Sequence, residues 1–189
     1  MPVKKTSREE ILRACWAVIH ERGYYDTSLQ ELAKAAGLGK AGLLHHFGSK
    51  RGLMEAVITY AVGWYQRKVL SIVEGEGSVE ERLAAFLAKH FRFCQMNGNA
   101  GCFFANTILE TGISGEFAAE LIRFHTLWRA AMEGLLGERF PPGEAAERAA
   151  RLFTEYQGSV VLFKLYQDPQ HLERFGQRAL QDLQRPLIS

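Results

Sequence analysis

The chain lacks what marks several large classes of protein. No apolar run approaches the roughly 20 residues that a membrane-spanning helix needs, so no span is expected. Lys4 and Lys5 are followed by Glu9 and Glu10 before any apolar stretch, which argues against a signal peptide. Cysteine is scarce: Cys15, Cys94 and Cys102 form no Cys-x-x-Cys pair, and three cannot all pair within one chain. A reducing cytoplasm is the expected setting. There is no GxGxxG, P-loop, HExxH or GxSxG, and no nucleophile stands at a readable spacing from a base. Neither an enzyme nor a cofactor is expected. Alternating strand patterns, internal repeats and low-complexity segments are absent as well.

What remains is 189 residues, 47% of them apolar, which is enough for a real core. The formal net charge of +2 hides an asymmetry. Residues 1–54 hold nine Lys/Arg against five Asp/Glu, and the remainder holds fourteen against sixteen. A basic head on a slightly acidic body suggests that the head meets a polyanion.

Apolar residues recur at spacings of three and four almost throughout, which predicts helices. Ser7-x-x-Glu10, Ser28-x-x-Glu31 and Ser78-x-x-Glu81 read as capping boxes opening the first, second and fifth. Ser49 caps a long fourth helix through about Ile72. A sixth runs from Cys102 to about Glu110, and Ser114 caps a seventh. Pro142 begins an eighth, and Pro169 opens a ninth that ends before Pro186. The expectation is an all-α fold of nine helices: residues 1–54 form a head, 55–189 a body, and the boundary falls inside the fourth helix.

Two short helices joined by a tight glycine turn occupy residues 28–47, the helix-turn-helix arrangement. The second would enter the major groove and the first would cross the DNA backbone. Four pieces stand at fixed spacing here: the ERGYYDTS bridge, the AxxAGL turn at Ala33–Leu38, Lys40-x-x-Leu43, and the HHFGSK exit. Residues 6–57 resemble the DNA-binding domain of TetR-family regulators. The resemblance implies a nine-helix fold, a dimer through the last two helices, and a ligand pocket in the body. The expected activity is therefore that of a ligand-responsive regulator, a repressor, reading palindromic operator DNA. Leu44 stands where the family usually has Tyr, and Gly42 where Thr, Ser or Ala is common. The candidate DNA-contacting residues are Thr27, Ser28, Lys40, Ala41, Gly42, Leu44, His45, His46 and Lys50. Thr27 and Ser28 would put a hydroxyl and free N–H groups at a helix N-terminus, a natural phosphate site. Lys40 would reach guanine or phosphate. Leu43 and Phe47 read as core.

The body is rich in aromatics, as pockets for small apolar ligands are. Candidate lining residues are Phe86, His90, Cys94, Cys102, Phe103, Asn106, Phe124, His125, Trp128 and Tyr156. His90 and Cys94, one turn apart, are too few for a metal site. Cys102, at a helix start where the dipole lowers a thiol's pKa, admits a thiol-sensing alternative. It also reads as a small buried residue, as free cysteine usually is. A body filled by its own side chains would instead mark a regulator without an effector. Heptad-like stripes on the last two helices make Phe153, Val160, Phe163, Phe175 and Ala179 the candidate dimer contacts.

Overall fold

The computed structural model describes residues 6–112 and 114–185; Lys4, Lys5 and Pro186 lie outside them. Nine α-helices run through the described residues: α1 Arg8–Arg22, α2 Leu29–Ala35, α3 Lys40–Phe47, α4 Lys50–Lys68, α5 Val79–Asn99, α6 Phe103–Thr111, α7 Ala118–Gly137, α8 Pro142–Tyr166 and α9 Gln170–Asp182. The all-α expectation holds.

All three capping boxes form. The hydroxyls of Ser7, Ser28 and Ser78 accept the backbone N–H of Glu10, Glu31 and Glu81. Each glutamate accepts the serine N–H in return. Two details, the end of the fourth helix and the role of Ser114, differ from the sequence reading, whereas the fifth helix breaks near Asn97 as expected. The fourth helix stops at Lys68 and a 3-10 turn, Leu70–Glu74, carries the chain onward, so the apolar spacing to Ile72 belongs to two elements. Inside α5 the backbone leaves the helix at Met96, and Asn97 and Gly98 sit at φ 53° and 73°. That left-handed region suits asparagine and glycine. Ser114 caps no helix: its hydroxyl donates to Thr111 O at 2.8 Å and closes the turn after α6, while α7 starts at Ala118.

One continuous apolar core runs from α1 into the body. Trp16 of α1 lies 5.4 Å from the ring of Trp64 on α4 and 5.9 Å from Phe103 on α6. At the far end, buried Arg148 of α8 donates to the Asp182 and Arg185 carbonyls at 2.6 and 2.5 Å. Those carbonyls at the end of α9 would otherwise lack partners, so Arg148 pins α9 to α8.

Candidate functional site

The helix-turn-helix is built from local rules. Gly37, at φ 68°, ends α2, and Leu38 N donates to Ala33 O at 2.8 Å. Ala33 and Ala36 are buried at this turn and Leu43 anchors α3 inward. The opposite face of α3 is open. Lys40, Ala41, His45 and His46 are exposed, and Gly42 and Leu44 are half-buried. A Cβ on Gly42 would meet only Leu38, at 3.9 Å, so no steric demand explains this glycine. Arg8, which the sequence reading passed over, secures the end of α3: it donates to His46 O at 3.2 Å and its guanidinium lies 4.5 Å over Phe47.

Two phosphate candidates change character. The Thr27 side chain is buried, and its hydroxyl donates to Gly23 O and Tyr24 O at 2.9 and 3.1 Å. It braces the α1–α2 bridge and has no free face for phosphate. The ammonium of Lys50 sits 4.5 Å over the Tyr24 ring. Ser28 is exposed and caps α2.

In the body, seven of the ten candidate lining residues are brought together or lie in direct series. Phe86, His90, Cys94, Cys102, Phe124, Trp128 and Tyr156 are all buried. His90 packs edge-on against Tyr156 at 4.2 Å and beside Phe86 at 5.4 Å, and Phe86 lies 6.0 Å from Trp128. Cys94 Sγ and the Tyr156 hydroxyl are 3.2 Å apart. These side chains pack ring against ring. Tyr65 of α4, absent from the sequence list, is central: its hydroxyl is hydrogen-bonded to His90 Nδ1, and its ring meets Phe124 at 5.2 Å. Two buried polar atoms here have no partner, His90 Nε2 and Trp128 Nε1. The Trp128 N–H reaches toward the Tyr65 hydroxyl without hydrogen-bond geometry. Burial pushes His90 down to about 3 and holds it neutral.

The other three lie elsewhere. Phe103 packs toward the head, 5.9 Å from both Trp16 and His20. Asn106 donates to Ala100 O at 2.7 Å and accepts from Lys164 at 3.1 Å. His125 stands 4.5 Å from Phe153 in an apolar cleft of about 280 Å³ between α6, α7 and α8. The Phe153 ring is also 5.0 Å from Trp128, so one ring separates the cleft from the buried cluster.

The dipole argument for Cys102 does not hold. The side chain is fully buried, and burial raises its pKa despite hydrogen bonds from Tyr156 and the Phe104 and Ala105 amides. Desolvation outweighs the helix terminus. The dimer candidates also shift. Val160, Phe163, Phe175 and Ala179 are buried within the chain, and Phe153 is half-buried. Phe153 packs on Trp128 of α7, Val160 lies beside Gly101, and Phe175 meets Tyr156 of α8 and Phe91 of α5. The exposed apolar face of α8 is Val161, Leu162, Leu165 and Tyr166, with Ile122 on α7.

Head and body are joined by more than α4. His20 of α1, buried, donates from Nε2 to Gly101 O at 2.7 Å, and its Nδ1 accepts from Asn97 at 3.0 Å. The Glu110 carboxylate of α6 accepts the backbone N–H groups of Tyr24 and Tyr25, at 2.8 and 2.6 Å. Neither link has a local sequence signal, since each spans about eighty residues.

The described residues form an all-helical protein with a helix-turn-helix at one end, whose second helix, α3, has an open outer face. Residues 11–57 match the family described as bacterial regulatory proteins, tetR family. The similarity to that family lies in this stretch, the helix-turn-helix and the helices that flank it. The regulator BetI of Stenotrophomonas maltophilia is 30% identical over 99 residues, 52% of this chain and 50% of that protein. The match thus spans about half the length of such curated relatives. The fold is that of a TetR transcriptional regulator from Legionella pneumophila: TM-score 0.86, 23% identity, covering 96% of this chain and 99% of that one. It is also that of FadR from Bacillus subtilis, solved with stearoyl-CoA: TM-score 0.75, 20% identity, covering 94% and 97%.

Proposed function

We propose that the protein is a homodimeric cytoplasmic repressor that binds a palindromic operator through α3 and releases it when a small apolar effector enters the body. In this reading it has no catalytic role. The observation that carries it is the course of α4. Lys50 at its first turn adjoins the recognition helix, and Tyr65 near its end holds His90 in the buried cluster. Fifteen residues of helix separate them, about 22 Å at 1.5 Å per residue. An effector that displaces Tyr65 from His90 therefore moves the head through a rigid rod.

Two heads must match two half-sites roughly 34–36 Å apart or somewhat more, so a small change in spacing breaks one set of contacts. Coupling of about 1–3 kcal/mol per site, twice per dimer, lowers operator affinity by about 2–6 kcal/mol. The exposed apolar face of α8 supplies the self-complementary surface for the dimer.

The dense packing of the cluster favours a second reading, a regulator without an effector. The two unpartnered donors favour the first, because buried polar atoms are normally bonded. The test is selection of bound sequences from random DNA, followed by a metabolite screen for release. Binding to a palindrome that some small molecule reverses is expected. Loss of sequence preference overturns the operator reading; a compound-insensitive complex overturns the effector reading.

A further inference from the structure

The unpartnered atoms of the body cluster carry chemical information about what enters it. Resting on the effector reading above, we propose that the ligand is an uncharged, flat compound bearing a carbonyl oxygen, which accepts hydrogen bonds from His90 and Trp128. The argument is a count of hydrogens. A neutral histidine has one N–H and one acceptor nitrogen, and a tyrosine hydroxyl has one hydrogen. If the Tyr65 hydroxyl donates to Nδ1 of His90, the hydrogen sits on Nε2, which has no acceptor. If Nδ1 donates instead, Nε2 becomes an acceptor without a donor and the Tyr65 hydroxyl hydrogen has no acceptor among its described bonds; the first arrangement is adopted, because a phenol is the stronger donor and an imidazole nitrogen the stronger acceptor. That arrangement leaves the Nε2 hydrogen over, and the indole N–H of Trp128 adds a second. The neighbouring Tyr156 face is at best a weak substitute.

The nearby thiols do not supply the missing acceptor. Cys94 and Cys102 are already engaged with Tyr156, and Cys102 with two amides. The hydroxyls of Thr107 and Thr111 donate to helix carbonyls at 2.8 and 2.7 Å, and neither accepts from His90 or Trp128. The cluster is thus short of acceptors, and the molecule that completes it brings an acceptor rather than a donor.

Charge and shape narrow the class. Tyr65, Phe86, His90, Cys94, Cys102, Phe124, Trp128 and Tyr156 carry no formal charge, and the buried arginines Arg82 and Arg148 are committed to Glu138 and Glu144. A carboxylate would be desolvated here without a counter-ion, which is costly. A ketone, aldehyde or ester oxygen takes both N–H groups at no such cost. Phe104 and Phe124 already stack at 3.7 Å and 14°, which shows that this core holds parallel rings. The route in is the cleft of about 280 Å³ behind Phe153, near the lower size of ligand pockets, about 300 Å³. Rotation of that one ring opens it toward Trp128.

Three two-ring probes of matched shape test the proposal by calorimetry and by release of the selected operator: 2-acetylnaphthalene, 2-ethylnaphthalene and 2-naphthoate. The ketone is expected to bind about tenfold or more tightly than either other compound, the effect of satisfying a buried donor. Trp128→Phe should remove about that factor for the ketone and leave the hydrocarbon unchanged; His90→Phe serves the same purpose if the first variant does not fold. Equal binding of the hydrocarbon, or a preference for the acid, overturns the carbonyl class while operator release by that probe keeps the effector reading. Binding of none of the three also overturns the class, and the effector reading then falls only if the metabolite screen is silent as well.

Discussion

Glu110 offers the sharpest test of how the body holds the head. Its carboxylate is half-buried and accepts two backbone N–H groups, from Tyr24 at 2.8 Å and Tyr25 at 2.6 Å, in the bridge that leads into the helix-turn-helix. Glu110→Gln keeps the shape but turns one acceptor oxygen into an NH2 that faces an N–H. A hydrogen bond to a charged group contributes about 1.5–3 kcal/mol, and partial exposure here puts the loss near the lower end, about 2 kcal/mol. For a chain of this length each kcal/mol lowers Tm by about 2–4 °C, so a fall of about 4–8 °C is expected. It is read by calorimetry at fixed protein concentration, because a dimer's Tm depends on concentration. The same variant should weaken the effector's grip on operator affinity, because α6 would no longer report on the bridge. A Tm within 1 °C of the parent (~0.3–0.5 kcal/mol on this scale), together with undiminished release, refutes the clamp.

Other expectations follow from the same geometry. Lys40→Ala should lower the slope of log affinity against log salt by about one if Lys40 meets phosphate, or relax base preference by about 1–3 kcal/mol if it reads guanine; unchanged slope and preference remove it from the interface. Thr27→Val should cost about 1–3 kcal/mol of stability by leaving the Gly23 and Tyr24 carbonyls unmet, with the salt slope unaltered; a reduced slope would return Thr27 to the phosphate. Burial holds His20 and His90 below the ordinary value of 6.5, so the unfolded chain binds protons first as pH falls. Stability is then full above pH 6.5 and declines from there toward pH 5, less so in His90→Phe; a Tm that is flat or rises over that interval contradicts the burial of these rings. Leu165→Glu should convert the proposed dimer to monomers in sedimentation; a parent chain that is already monomeric overturns the dimer, and an unchanged dimer places the interface away from α8.

Much of this was legible because its causes are local. Capping boxes, the glycine turn and the apolar spacing of α3 are each settled within a few residues, so the head could be read almost residue by residue. Ser114 misled because a serine after a helix closes a turn as readily as it opens the next helix. The stripes of α8 and α9 were read correctly as apolar, but periodicity cannot say whether Phe163 and Phe175 face their own chain or another. Tyr65 was missed because a tyrosine on an apolar stripe looks like core until His90 arrives from α5. The links at His20 and Glu110 depend on backbone atoms of distant residues, for which side-chain identity carries no signal.

The shared apolar core that joins α1 to the body bears on how such a protein can be re-engineered or diversified. Trp16 is packed by α4 and α6, Glu110 holds the Tyr24 and Tyr25 backbone and Gly101 holds the His20 side chain, so a head transplanted at residue 54 would leave half its seat behind. The outward face of α3 is free of these obligations. Lys40, Ala41, Gly42 and Leu44 can be exchanged for other residues without disturbing the seat, and the room beside Gly42 admits a side chain. In the proposed reading, new operator sequences are reached by rewriting four positions of one short helix, while exchange of whole modules must carry α6 along.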